Sequence, residues 1–272
     1  SASASPANHS HMERQRVSVR LRHAMVGMLL AAAGEGWIFA QQSAVPSQLV
    51  PFVGCASDGQ VGPTQPPEGQ SIPVRIAAEA APKLAYYKSA QGIGVLAPRQ
   101  WHCFGIYGSG SASLFVSPQP ISAVNLLSGG FRGLLGPAVA VRHVYGDTSG
   151  RFLVAQIIAR VFPKHRKFVT EVMDSFDIPP GSFPSRPYPD DRLTYRSDNA
   201  LEYRTSSQAD GLGLHSGLMK DNDPIQGVAI LFGQPPDLLL LSVRLPSDLR
   251  NLTIPIIQQF ADEAERRQEE RP

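Results

Sequence analysis

The stretch Trp101–Ser111 gathers side chains that could do chemistry. His102 sits beside Cys103, and Tyr107, Ser109 and Ser111 follow within a few positions. A thiol or hydroxyl nucleophile activated by a histidine base is the engine of many hydrolases. Neighbouring residues of a strand face opposite ways, so His102 is badly placed to serve Cys103 from the next position. The Gly-Ser-Gly-Ser run lacks the spacing of a nucleophile elbow, and no Lys-Ser/Thr follows to make a phosphate loop. Its plainer reading is an aromatic strand entering a hairpin at Gly108-Ser109-Gly110.

Other titratable groups are weaker candidates. His143, Asp147 and Ser149 fall close together, as in a catalytic triad, but Asp147 and Ser149 are accounted for as capping residues of a following helix, with Asp147 or Thr148 as its cap. His165 lies in the basic run Lys164–Lys167, which reads as a solvated helix start. His215, in the glycine-rich segment Gly211–Gly217, could border a ligand site. If the chain is a hydrolase, the nucleophile is Cys103, Ser109 or Ser111 and the base is His102, His143 or His215. No H-E-x-x-H or C-x-x-C occurs, and Asp221-Asn222-Asp223 runs into Pro224 rather than continuing as a calcium loop, so no metal is expected. No nucleotide fingerprint follows a predicted strand, and no cofactor is expected.

The cysteines Cys55 and Cys103 admit several fates. An even pair in an oxidising compartment forms one bridge. Against that stand a free thiol at Cys103 and lipid attachment at Cys55, whose Phe52-Val53-Gly54-Cys55 context looks like a lipid box. A polar spacer containing proline separates that box from the apolar run it should abut.

These groups must be positioned by the elements around them. Gln41–Pro73, rich in Pro, Gly, Ser and Gln, has neither hydrophobic period and reads as an extended arm. Ile72–Ile76 is a short strand, and Ala77–Ala90 has helical composition interrupted by Pro82. Strands are predicted at Gly94–Ala97, Trp101–Tyr107, Ser113–Ser117 and Ala138–Tyr145. An apolar stripe predicts a helix over Ser149–Phe162, and a second helix runs from Lys164 to Phe176. Leu193–Tyr195 and Ala200–Tyr203 form a polar hairpin. Gln226–Gly233 and Asp237–Leu245 are strong strands, with Leu238–Leu241 reading as central and buried on both faces. Leu249–Arg267 is a terminal helix with Leu252, Ile256, Ile257 and Phe260 on one face. Strands dominate and no regular βα alternation appears. The fold class expected is α+β, a mainly antiparallel sheet with two helical segments in the middle and a C-terminal helix, as one domain over 74–272.

The N-terminal region bears on compartment. Arg14, Arg16, Arg20 and Arg22 precede the apolar run Ala24–Ala33, and small or apolar residues lead to a cut after Ala40. That order is the pattern of a secretory signal peptide over Met12–Ala40. Residues Ser1–His11 ahead of Met12 read as a non-native or upstream extension. The net charge of +2 resides in the leader, because residues 41–272 carry equal numbers of basic and acidic side chains. Such a balance excludes a nucleic-acid footprint. A membrane would be met only through an uncleaved leader.

The phrases VLAPRQWHCFGIYGSGSASLFVSP, LTYRSD and GVAILFGQPPDLLLLSVRLP resemble an uncharacterised family of exported proteobacterial proteins of unknown function. The resemblance implies export and a shared fold and carries over no catalytic residue. The expectation is therefore a periplasmic or secreted binding or envelope-accessory protein without enzymatic activity, taking a protein or small-molecule ligand. Its rivals are the hydrolase above and a lipoprotein anchored at Cys55.

Overall fold

Alternating apolar residues build the large sheet of this protein, and the alternation sends its side chains into two separate cores. The computed structural model describes residues 46–212 and 216–269. The predicted leader 12–40, the residues before it and His215 lie outside that range. The strands are β1 (Ser47–Val50), β2 (Phe52–Cys55), β3 (Ser57–Gly59), β4 (Ile72–Arg75), β5 (Leu84–Ser89), β6 (Val95–Pro98), β7 (His102–Tyr107) and β8 (Ser111–Ser117). After the short helix α1 (Ala123–Leu126) come β9 (Ala138–Val144), α2 (Arg151–Val161), α3 (Arg166–Ser175), β10 (Asp191–Tyr195) and β11 (Ala200–Thr205). The chain continues through β12 (Ile225–Phe232) and β13 (Asp237–Arg244) to α4 (Thr253–Glu269).

The eight-stranded sheet runs β10-β11-β12-β13-β9-β8-β7-β3 and is antiparallel except where β3 lies parallel to β7. A three-stranded sheet, β2-β5-β6, and the pair β1-β4 complete the strands. Val139, Val141, Val228, Ile230, Leu239 and Leu241 point to the face that α4 and the small sheet cover. Ala138, Ala140, Ala229, Leu231, Leu238 and Leu240 point to the face packed by α2 and α3. The molecule is thus α+β, helices and a small sheet layered on a mostly antiparallel sheet. The run Leu238–Leu241 is continuous because β13 lies between β12 and β9 with both of its faces buried.

Two segments depart from the sequence expectation. The arm expected over 41–73 is, from residue 46 on, folded into β1 to β4 within the compact unit Ala44–Pro272. Its strands are too short to show a period. Gly54 lets the chain fold back, since a β-carbon there would stand 2.0 Å from the Pro67 carbonyl oxygen. Ala77–Ala90 is not a helix but a single 3₁₀ turn at Ala81–Lys83 followed by β5. The alanines gave helical composition, yet both faces of β5 are covered, so packing overrides propensity. The Tyr87 hydroxyl donates to the Pro98 carbonyl at 2.7 Å and accepts from Trp101 N–H, fixing the strand.

Helix α2 starts at Arg151, two residues later than predicted. Gly150, not Asp147 or Thr148, occupies the N-cap position. A β-carbon there would fall 2.3 Å from the Gly110 carbonyl oxygen, so the capping side chain is excluded by the neighbouring hairpin.

Candidate functional site

Helix α4 carries two kinds of residue. Ile256, Ile257, Phe260, Ala261 and Ala264 are buried against the large sheet, while Gln259, Glu263 and Arg267 follow one another at i, i+4 along its flank. Glu263 is the hub. It accepts the Tyr86 hydroxyl at 2.8 Å, the Gln259 side-chain N–H at 3.0 Å and an Arg267 N–H at 2.9 Å. Tyr86 comes from β5, so this cluster ties the small sheet to the helix over 177 residues of chain.

On one side of that hub is a cleft of about 490 Å³ between α4 and the strands β1, β4 and β5. Phe52 and Tyr86 form its apolar wall, with ring centroids 6.3 Å apart. Arg75, Lys88 and Arg266 supply positive charge, and Asp262 and Glu263 supply negative charge. Glu263 is already committed to three donors, so the ligand-facing surplus is cationic. Gln259 is 5% exposed, and its Oε1 atom is buried without a hydrogen-bond partner. Its amide cannot be turned round, because the other end must donate to the Glu263 carboxylate. The cleft therefore presents cations and an aromatic wall, and Gln259, with its buried and unfilled acceptor, is part of its lining.

On the other side lies a smaller cavity of about 270 Å³ lined by His143, Tyr145, Phe232, Gly92 and Arg267. His143 Nε2–H donates to Asp237 Oδ2 at 3.1 Å, and Asp237 Oδ1 accepts Gly146 N–H at 2.8 Å. The histidine ring stands edge-on to Tyr145 at 4.6 Å. Burial, and then the Asp237 charge, push the Tyr145 phenol above its usual range. A histidine so oriented can act as a base through Nδ1.

The sequence candidates do not converge on this histidine. Its acidic partner is Asp237 of the neighbouring strand, not Asp147. Asp147 is exposed and its carbonyl accepts from Arg151, while Ser149 is exposed beside Gly110. His102 and Ser111 alternate with Phe104 and Phe115 toward the α2 face, whereas His143 alternates with Val141 toward the α4 face. Ser109 is exposed in the hairpin turn. Cys103 pairs with Val116, which pairs with Val139. That row is four residues along β9 from His143, about 13 Å at the usual strand rise. The Cys103 sulfur is in any case bonded to Cys55, which removes it as a nucleophile and Cys55 as a lipid-bearing thiol in this state. His165 Nε2 meets Asn199 Oδ1 at 2.6 Å, joining the start of α3 to the β10–β11 turn. No His/Cys/Asp/Glu cluster able to hold a metal occurs among the described residues, and none of their helices is long and apolar enough to cross a membrane.

The tyrosines make a prediction at alkaline pH. Burial holds the Tyr86 phenol well above the ordinary value, reinforced by Glu263, and holds Tyr203 up likewise, against the hydrogen bond from Ser242. The unfolded chain loses these protons near pH 10 and the folded chain keeps them, so the unfolded state binds fewer protons and stability falls as pH rises. The expected slope is about 1.4 kcal/mol per pH unit for each tyrosine. Urea denaturation from about pH 9 to about pH 11.5 measures it. Tyr203→Phe should make the slope shallower by one tyrosine's share; an unchanged slope counts against the assignment.

Compared with known proteins, the chain matches no family model, no curated protein and no solved structure.

Proposed function

We propose that this chain is an exported binding protein, its leader removed after Ala40, whose α4 cleft takes a small organic anion with an apolar body and a hydrogen-bond donor. The observation that carries the reading is the trio Arg75, Lys88 and Arg266 lining a cleft that Gln259, whose buried Oε1 has no hydrogen-bond partner, also lines. Burying an acceptor without a partner costs about 1–3 kcal/mol, which a ligand hydroxyl or ammonium would recover. The cations supply charge-assisted bonds to a carboxylate, and the partly exposed Phe52 offers an apolar surface to the rest of the ligand. Export is supported by the order of the leader and by a disulfide of the kind that oxidising compartments retain. The periplasm or the medium is the expected location.

Phenyllactate combines the required groups in one molecule, and isothermal titration with it tests the cleft. Phenylpropionate lacks the hydroxyl and phenylpropanediol lacks the charge, and each should bind at least about tenfold more weakly. Lys88→Glu/Arg266→Glu should remove binding of phenyllactate while leaving the far-ultraviolet dichroism unchanged. Equal affinity for all the compounds, or binding untouched by the charge reversal, would overturn the reading.

A further inference from the structure

One row of the sheet register, away from α4, places like charges face to face. Arg192 of β10 stands opposite Arg204 of β11, and Arg204 stands opposite Gln226 of β12. Directly opposed residues share a face, so the row offers donors in line across the edge of the large sheet. Both side chains are exposed, so solvent screens part of their repulsion, and a charge of opposite sign between them would offset the rest.

The neighbouring carboxylates do not supply that charge. Glu202, two residues along β11, accepts Arg196 Nε–H at 2.7 Å. Asp191 alternates to the opposite face, where it accepts from the Thr205 hydroxyl and from Leu212 N–H at 3.1 Å. Asp223 is held by Arg250 at 3.0 Å. Asp190 contributes its backbone carbonyl, which accepts Ser206 N–H at 3.2 Å. Among the described residues, neither Arg192 nor Arg204 has an ion-pair partner. Beside them opens a cavity of about 300 Å³ lined also by Ser206, Ser207 and Pro224.

We infer that this cavity is a binding site for a tetrahedral oxyanion, the phosphate of a phosphate monoester. A carboxylate is filled by one guanidinium fork, whereas a phosphate offers enough acceptors to engage two forks and a serine hydroxyl together. The anion between the guanidinium groups turns their repulsion into shared attraction. The site is separate from the α4 cleft in residues and in location, and it stands or falls independently of the reading given for that cleft.

Isothermal titration of the full chain with inorganic phosphate at low salt tests it. Arg192→Gln and Arg204→Gln should each weaken phosphate binding about tenfold, and the double variant should abolish it. The titrations are made in the Lys88→Gln/Arg266→Gln background, so that the cations of the α4 cleft do not contribute to phosphate binding. In phosphate-free buffer Arg204→Gln should melt above the parent, because the repulsion is gone, so failure to fold does not obscure the result. Glycerol phosphate binding that depends on both arginines assigns the site to soluble monoesters. Retention on vesicles containing phosphatidic acid, lost in the double variant, assigns it to a lipid headgroup. Phosphate binding that persists in Arg192→Gln/Arg204→Gln, or no phosphate binding by the parent, overturns the inference and leaves the arginines as guards of a sheet edge.

Discussion

Replacing Arg244 with methionine is expected to lower the free energy of unfolding by about 3–5 kcal/mol, the range for breaking a buried charged network by removing one partner. Arg244 is 1% exposed at the end of β13. Its Nε donates to the Gly136 carbonyl at 2.6 Å, one terminal nitrogen donates to Met219 O at 2.5 Å, and the other to Leu134 O at 3.0 Å. Asp221 lies 3.9 Å from the guanidinium and accepts Gly136 N–H, so the charge is balanced as well as bonded. The arginine thereby clamps the loop before β9 to the segment around Leu218, which also exchange backbone bonds between Leu134, Gly217 and Met219. Methionine fills much of the volume but leaves those carbonyls without donors, and it is the orphaned acceptors that make the change costly. Arg244→Lys keeps the charge without the planar fork and should recover only part of the loss. Urea denaturation measures the shift in midpoint. A methionine variant within about 1 kcal/mol of the parent would show that the loops hold each other without the clamp.

The large sheet was legible because its strands obey local rules. Ala138–Val144, Ile225–Phe232 and Asp237–Arg244 announce themselves by β-branched and leucine runs, and the turn at Gln234–Pro236 separates the last two. β5 was hidden, since alanines flank Pro82 and burial on both faces erases the alternation that marks a strand. The strands of the arm hold too few residues to carry a period at all.

The site was less legible than the fold, and for a different reason. His143 sits four residues from Asp147 in sequence, but strand pairing brings it Asp237, 94 residues away. Register over such distances is a tertiary property that spacing along the chain does not encode. The α4 cleft is assembled from β1, β4, β5 and the terminal helix, and the polar end of that helix reads on its own as a solvated tail. One signal was available: Gln259, Glu263 and Arg267 recur at i, i+4 on a helix whose other face is apolar. A stripe of mutually bonding polar residues beside an apolar stripe marks the flank of a packed helix rather than its solvent side. The opposed arginines of the β10–β11 hairpin were visible as residues, yet only the register shows that they face one another.

Reduction of the Cys55–Cys103 bridge, or the double change to serine, is expected to cost about 4 kcal/mol, the chain-entropy value for closing a loop of this length. The cysteines are 48 residues apart with α-carbons 5.4 Å from each other. Cys55 is buried at the end of β2 and Cys103 lies on β7, so the bond joins the small sheet to the large one where β3 begins to pair with β7. For a chain of this size each kcal/mol moves the melting temperature by roughly 2–4 °C, which puts the reduced protein about 8–16 °C below the oxidised one. The loop that the bridge closes contains β3 to β6, including Tyr86, so its loss should also loosen the wall of the α4 cleft and weaken phenyllactate. Calorimetry with and without reductant measures the first effect, and titration of the serine variant measures the second. A melting temperature unmoved by reductant would mean that the packing of β2 against β5 already fixes the small sheet, and it would take away the stability argument for maturing this chain where thiols oxidise.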